Sequence, residues 1–160
     1  MEITAIPMEE LTKLLSLQME SGGLARLVVT GSSMYPTLRH RKDAVFLRPV
    51  EGALKRGDLI LYRRANGQFV LHRIVTRPKN GAFICSGDNQ WEKEAVDATQ
   101  VIAVVDGFVR KGKIYQENHT GYRLWVAVWL LLFPVRRPIL ALRRCLGRVR
   151  KVIHYNIRRK

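Results

Sequence analysis

The chain has 160 residues, of which 47% are hydrophobic and 26% are charged. This length suits one domain with an appendage, and the composition excludes a disordered chain. Twenty-eight Lys and Arg against 13 Asp and Glu give a formal charge of +15, which calls for a polyanionic partner such as a lipid surface or a nucleic acid.

Residues 1–23 predict a short amphipathic helix that begins after Pro7. Its apolar residues recur at helical spacing and stop at a glycine pair: Leu11, Leu14, Leu15 and Met19, then Gly22-Gly23. We expect the helix to cover the domain that follows or to take part in substrate binding. Glutamates interrupt this stretch, so no secretory signal is visible in it.

Residues 24–118 change to a strand-like period. Six short β-branched or aromatic runs occur at Leu24–Thr30, Ala44–Arg48, Asp58–Arg63, Phe69–Arg77, Ala82–Ser86 and Val101–Arg110. Asn66-Gly67 between the third and fourth runs is a strong hairpin signal, and Asn80-Gly81 marks a second. These features predict a mainly β domain that is twisted and barrel-like, with few helices.

A serine-containing turn, Gly31-Ser32-Ser33, follows the first of these runs. A tight turn at a strand end can hold a hydroxyl outward, which makes Ser33 a candidate nucleophile, and Pro36 keeps Tyr35 out of helical φ/ψ. An ordinary turn also favours these residue types, so this stretch alone leaves both interpretations open.

Two later residues could complete a hydrolytic site. His72 lies within the run Phe69–Arg77, and imidazole with a pKa near 6.5 can accept and return a proton at neutral pH. Asp88 lies in the turn Gly87-Asp88-Asn89, where it could orient the imidazole or bond its own backbone. A lone histidine in a strand is commonly structural, so neither residue establishes a site by itself.

The C-terminal part, residues 119–160, differs from the rest in composition. The uncharged run Leu124–Val135 covers about 18 Å as a helix, which is short of the roughly 30 Å of a bilayer core. Ten basic and no acidic residues follow from Arg136 to Lys160. We expect apolar and amphipathic helices that associate with an anionic membrane surface. A soluble helix packed on the β domain or on a partner is the alternative.

Four segments, in this order, resemble the boxes of the signal peptidase I family: Ser33–Leu38, Arg56–Ile60, His72–Val75 and Gly87–Asn89. The resemblance is to the histidine-using branch found in the endoplasmic reticulum, in archaea and in some Gram-positive bacteria, and it covers roughly Leu24 to Val109. It implies a mostly antiparallel β fold and a serine endopeptidase that needs no cofactor and no metal. Gly31 stands where some members carry a hydroxyl, and Lys42-Asp43 stands where many carry Gly-Asp.

The resemblance assigns Ser33 as the nucleophile, His72 as general base and acid, and Asp88 as the orienting carboxylate, with Asp97 as a rival to Asp88. Its substrates would be signal or leader peptides on precursor proteins, processed at the cytoplasmic membrane, with the cytoplasmic side as one location for the catalytic domain. Two other functions stay open: a self-cleaving repressor relative, and a non-catalytic module that binds nucleic acid or a partner through the basic tail. We expect nucleic acid not to be the partner.

Overall fold

The structure is a computed structural model that describes residues 23–79 and 82–136, together with positions 13, 17, 18, 138, 140 and 141. This part contains eight strands: β1 (Ala25–Val28), β2 (Ala44–Arg48), β3 (Leu59–Arg63), β4 (Phe69–Lys79), β5 (Ala82–Ser86), β6 (Glu94–Asp97), β7 (Val101–Arg110) and β8 (Lys113–Gln116). Helix α1 (Thr120–Leu131) follows them. Short 3₁₀ helices span Ala98–Gln100 and Phe133–Val135.

All eight strands form one antiparallel sheet in the order β1-β2-β7-β3-β4-β5-β6, with β8 paired to β7. The pairing shifts by a residue where β7 pairs with β2 and with β3, and where β4 pairs with β5, with the extra residues forming bulges on β7 and β4. Bulges bend a strand and increase its twist. The expected twisted, mainly antiparallel β fold is therefore confirmed.

The hairpin predicted at Asn66-Gly67 joins β3 to β4, and Gly67 has the positive φ of 83° that a tight turn favours. The six predicted runs correspond to β1 to β5 and β7, whereas β6 and β8 were not predicted. The turn at Asn80-Gly81, the helix expected within residues 1–23 and the basic helix expected after Pro138 lie largely or wholly outside the described residues.

The sheet buries apolar side chains on both of its faces. Strand β3 shows this directly, because Leu59 and Leu61 belong to one buried cluster while Ile60 and Tyr62 belong to the other. We call these the Leu61 face and the Ile60 face. His72 pairs with Ile60 and Arg73 pairs with Leu59, so consecutive residues of β4 lie on opposite faces.

Candidate active site

The serine turn is anchored by its own apolar residues. Met34 and Leu38 are buried in the cluster of the Leu61 face, and the backbone N–H of Leu38 donates to Met34 O at 2.9 Å. The Tyr35–Pro36 peptide bond between them is cis. Ser33 itself is half-buried, and its carbonyl accepts a 2.6 Å hydrogen bond from the backbone N–H of Asn89. The turn therefore lies against the segment that follows β5.

Gly87 also lies against the serine turn. A Cβ atom on Gly87 would lie 2.7 Å from Ser33 O and 3.0 Å from Ser33 Cβ, so only glycine fits here without movement. Arg73 faces Ser86, the last residue of β5, so Gly87 directly follows the partner of the residue next to His72. The fold thus places Ser33 against the segment that follows β5, and a contact between Ser33 and His72 stays a prediction.

The His72 ring lies on the Ile60 face and is 5% exposed. Its Nδ1 lies 3.1 Å from the hydroxyl of Tyr62, which in turn donates to Glu94 Oε2 at 2.8 Å. Arg64 holds the same carboxylate from its far side, with Nε 2.6 Å from Oε1 and Nη2 2.5 Å from Oε2. A continuous hydrogen-bonded series therefore runs from Arg64 through Glu94 and Tyr62 to His72.

Asp88 lies on the other side of β4, in a buried ion pair with Arg73. Arg73 Nε and Nη2 donate to its two oxygens at 2.9 and 2.8 Å, and both side chains are 0% exposed. Thr37 Oγ1 also donates to Asp88 Oδ2 at 2.5 Å, and it accepts from Trp125 Nε1 at 3.1 Å. These bonds fasten the serine turn, the β5 end and helix α1 to one another.

The two expected carboxylates therefore differ in what they do. Both oxygens of Asp88 are bonded, to Arg73 and Thr37, and its effect on His72 is that of a nearby negative charge that raises the pKa of the ring. Asp97 is exposed and caps the 3₁₀ helix Ala98–Gln100 by accepting from Thr99 N at 2.9 Å. The role of Asp88 as the orienting carboxylate stays a prediction.

Comparison with protein-family models matches residues 3–110 to Peptidase S24-like, which is more than half of the 160 residues. The chain belongs to the Peptidase S24-like family. Comparison with curated proteins and with solved structures finds no match. The family includes both self-cleaving proteases and signal peptidases, so membership establishes a peptidase relationship and leaves the substrate open.

Electrostatics in the S24-like site favour a neutral imidazole. Burial lowers the pKa of His72 to about 4, against the upward pull of Glu94 and Asp88 and with a smaller downward effect from Arg64. The hydrogen bonds from Arg64 hold the pKa of Glu94 below its usual value, so this residue stays ionised. A neutral ring beside a permanent carboxylate has the protonation state that a general base requires.

The S24-like domain also receives contacts from beyond residue 118, where the predicted division from the tail lies. Arg136 is buried and donates to Gly87 O, Gln90 O and Trp129 O at 3.3, 3.4 and 3.0 Å. Its guanidinium stacks over the rings of Trp129 and Phe133. Burial lowers the pKa of Arg136 to about 10. This arginine thus supports the segment against which Ser33 packs.

Four residues of the site were not identified from the sequence: Tyr62, Arg73, Glu94 and Arg136. A usable signal existed for Tyr62, because a hairpin turn at Asn66-Gly67 sets the pairing that puts Tyr62 and His72 on the same face. Within the described residues, no group of three or more His, Cys, Asp or Glu is arranged to hold a metal ion.

Proposed function

We propose that this S24-like protein is a serine endopeptidase that removes signal or leader peptides from precursor proteins, in the manner of the histidine-using branch of signal peptidase I. One arrangement supports the proposal: Ser33 packs on Gly87, which directly follows Ser86, the β5 partner of Arg73, and the neighbouring His72 is buried and neutral. The order of the four sequence segments supports the same assignment.

In this mechanism, Ser33 Oγ attacks the scissile carbonyl carbon while its proton passes to the ring of His72. The carbonyl electron pair moves to oxygen, where the backbone N–H of Ser33 is a donor for the developing charge. The imidazolium then returns the proton to the leaving amine as the C–N bond breaks. Water repeats the two steps on the acyl-enzyme and releases the second product.

Strand β1 supports a substrate bound in extended form. It stands at one end of the strand order and leads directly into the serine turn. A strand at a sheet end has unpaired N–H and C=O groups along one side, and these can bind a peptide as an added strand. Alternate side chains of such a peptide would point toward the domain beside Ser33.

An anionic membrane surface is the proposed location of the reaction. Exposed apolar residues of the C-terminal segment recur at helical spacing, namely Leu124, Val128, Leu131 and Val135. The basic run Arg136–Lys160 follows immediately. No helix in the described part of the chain is long and apolar enough to cross a bilayer. A helix that lies along the lipid headgroups fits these properties.

The test is incubation of the purified chain with candidate precursors, followed by mass spectrometry of the products. We expect a defined cut that disappears in Ser33→Ala and is about 10² to 10⁴ times slower in His72→Ala. His119→Ala is the matched control, because His119 makes no side-chain cap to helix α1 and should leave the rate unchanged. An unchanged cut in Ser33→Ala or His72→Ala would remove that residue from the mechanism.

The same experiment distinguishes cleavage of a precursor from the alternative function, cleavage of the protein's own chain. A repressor-type protein cuts its own chain, so the purified wild type would accumulate two fragments without added precursor, and Ser33→Ala would stay intact. We expect instead that the wild-type chain keeps its full mass while the precursor is cut. Fragmentation of the chain alone would favour the alternative.

A further inference from the structure

The number of protons available to the hydrogen bonds around His72 determines which ring nitrogen carries no proton. A tyrosine hydroxyl has one proton to donate and lone pairs with which to accept. The Tyr62 oxygen lies 2.8 Å from Glu94 Oε2 and 3.1 Å from His72 Nδ1, so both groups compete for its single proton. The acceptor that takes it decides the tautomer of the imidazole.

Glu94 takes the proton, because its carboxylate is the stronger acceptor. Arg64 binds both carboxylate oxygens and keeps Glu94 ionised, so the carboxylate has no proton of its own to offer. The Tyr62 oxygen then accepts from His72, which requires the proton of the neutral ring to be on Nδ1. Nε2 is left without a proton and can receive one from Ser33.

We propose that Tyr62 and Glu94 are positioning residues that fix His72 in the Nδ1-protonated tautomer and so prepare Nε2 as the base for Ser33. This inference rests on the proposed peptidase function. It assigns to a tyrosine and a glutamate the orienting task that the sequence pattern gave to Asp88.

The strand register supports the assignment. Tyr62 and His72 lie on the same face of the β3–β4 hairpin, because Ile60 pairs with His72 and Tyr62 pairs with Val70. Their rings meet edge to face with centroids 6.1 Å apart. Glu94 pairs with Cys85, which pairs with Ile74 of β4, so its side chain belongs to this face as well. Three strands of the sheet, β3, β4 and β6, thus contribute Tyr62, His72 and Glu94 to the series.

The hydrogen-bonded series also stabilises the positive charge that develops on His72 during the reaction. When His72 takes the Ser33 proton, both ring nitrogens carry protons and the ring becomes positive. The Nδ1–H continues to donate to Tyr62, whose hydroxyl proton remains directed at the Glu94 carboxylate. Burial and the neighbouring Glu94 raise the pKa of Tyr62, so the phenol keeps its proton throughout. Glu94 therefore stabilises the imidazolium without itself becoming protonated.

The decisive measurement is the tautomer of His72, read from long-range ¹H–¹⁵N NMR correlations of the ring in the full-length Ser33→Ala protein. We expect Nδ1 to be protonated and Nε2 unprotonated at pH 7. Adding Tyr62→Phe removes the acceptor at Nδ1 and should give a mixture of both tautomers. A ring that is Nε2-protonated in the Ser33→Ala protein, or unaffected by Tyr62→Phe, overturns the proposal.

Kinetics on a cleaved precursor supply the second measurement. We expect Tyr62→Phe and Glu94→Gln each to lower kcat by about 10- to 100-fold with little change in KM. The double variant should be no slower than the worse single variant, because residues that act in series are not additive. Glu92→Gln is the matched control, since Glu92 is exposed, accepts a hydrogen bond from the backbone N–H of Trp91 and should leave kcat unchanged.

These two measurements distinguish a failure of the proposed peptidase function from a failure of the proposed positioning role. If the wild type cuts through Ser33 and His72 while Tyr62→Phe changes neither tautomer nor kcat, the peptidase stands and the positioning role is wrong. If no precursor is cut, the tautomer in the Ser33→Ala protein still decides the positioning step. A folded Tyr62→Phe protein is expected, because the phenylalanine ring fills the same buried volume.

Discussion

His72 and Arg73 are consecutive residues of β4 with opposite electrostatic surroundings. His72 is buried without a charged hydrogen-bond partner of its own, so burial favours its neutral form. Arg73 is equally buried but bonds both oxygens of Asp88, so it stays charged. The alternation of a β-strand separates a proton acceptor from a structural ion pair by one residue, and a one-residue slip would exchange them.

The lowered pKa of His72 predicts a pH dependence of folding stability. The unfolded ring binds a proton below pH 6.5, whereas the folded ring does so only near pH 4. Between these values the unfolded state binds more protons, so stability falls as the pH falls, by about 3 kcal/mol in total. The charged and titratable groups around the ring are Glu94, Arg64, Asp88 and Tyr62.

Urea unfolding from pH 7 to 4 measures this contribution. His72→Gln removes the titrating ring, so its free energy of unfolding should fall less steeply than that of the wild type across the same interval. The carboxylates of the domain titrate in both proteins and cancel in the comparison. Parallel curves for the two proteins would show that the folded His72 ring titrates as it does in the unfolded chain.

Gly87 provides a second test at the scale of single residues. In Gly87→Ala the new methyl group would lie 2.7 Å from Ser33 O and 3.0 Å from Ser33 Cβ, so the serine turn must move. Overpacking of this kind costs about 1 to 3 kcal/mol, and a displacement of about 1 Å can lower a rate by about 100-fold. We expect kcat/KM to fall by at least about 10-fold.

Gly121→Ala is the control for that substitution, because its Cβ would approach only the side chain of His119, at 3.2 Å. Alanine also suits the interior of helix α1 better than glycine does. This variant should therefore fold and cut like the wild type. Equal activity of Gly87→Ala and Gly121→Ala would mean that the position of Ser33 does not depend on its contact with Gly87.

At the scale of elements, the strands and turns that depend on their own local sequence were predictable. Runs such as Leu59–Arg63 have strand composition, and Asn66-Gly67 has the residues of a tight turn, so β3, β4 and their hairpin were predictable. β6 and β8 were missed because they are four-residue strands with polar or charged residues at both ends. Their strand conformation comes from pairing with β5 and β7, which is not local.

The residues of the candidate site likewise divide into those that could be named from the sequence and those that could not. Ser33 and His72 were named because their segments, taken in order with two others, resemble the boxes of the signal peptidase I family, whereas neither residue indicates a site by itself. The partners of Asp88 could not be named, since Arg73 is 15 residues and Thr37 is 51 residues away along the chain. Arg136 lies in a segment whose composition indicated a membrane tail, yet its guanidinium is bonded to Gly87 O. Such pairs follow from the fold and not from sequence neighbours.

Arg136 connects helix α1 and the 3₁₀ helix after it to the segment that supports Ser33. In Arg136→Leu, the carbonyl oxygens of Gly87, Gln90 and Trp129 lose the guanidinium as a donor, and Gly87 O keeps a 3.0 Å hydrogen bond from the backbone N–H of Gln90. A buried carbonyl left unpaired costs about 1 to 3 kcal/mol, so we expect a loss of roughly 1 to 3 kcal/mol in urea unfolding. We also expect the hydrogen bond between Asn89 and Ser33 to be weakened.

Hydrogen exchange at the Asn89 amide tests that spread, because this N–H donates to Ser33 O. We expect faster exchange in Arg136→Leu under conditions where the protein remains folded. Arg123→Leu removes an exposed arginine from helix α1 and serves as the control. If the Asn89 amide exchanges at the same rate in both variants, Arg136 stabilises the fold without supporting the serine turn.

At the scale of the whole molecule, most of the net charge and several exposed apolar residues are adjacent in the sequence. The ten basic residues from Arg136 to Lys160 account for most of the net charge of +15. The exposed apolar residues of helix α1 come directly before them, with Leu124 65% and Leu131 78% exposed. An apolar surface beside a basic run suits lipid, where both contribute, better than nucleic acid, where the apolar part would stay in water.

Binding to vesicles, measured by sedimentation, tests whether the apolar residues and the basic residues both contribute to attachment. The apolar contribution and the electrostatic contribution predict different responses. Burying Leu124 and Leu131 in the headgroup layer contributes about 1.5 to 3 kcal/mol for each fully buried side chain, so Leu124→Ser with Leu131→Ser should weaken binding at least about 10-fold. Ile114→Ser is the control, since Ile114 is 69% exposed but lies on β8, outside helix α1. Because salt screens exposed charges, binding to anionic vesicles should fall as salt is raised from 0.1 M toward 1 M, where the Debye length shortens from about 10 Å to 3 Å. Equal binding to neutral and anionic vesicles, or loss of binding in Ile114→Ser alone, would assign the attachment to another surface.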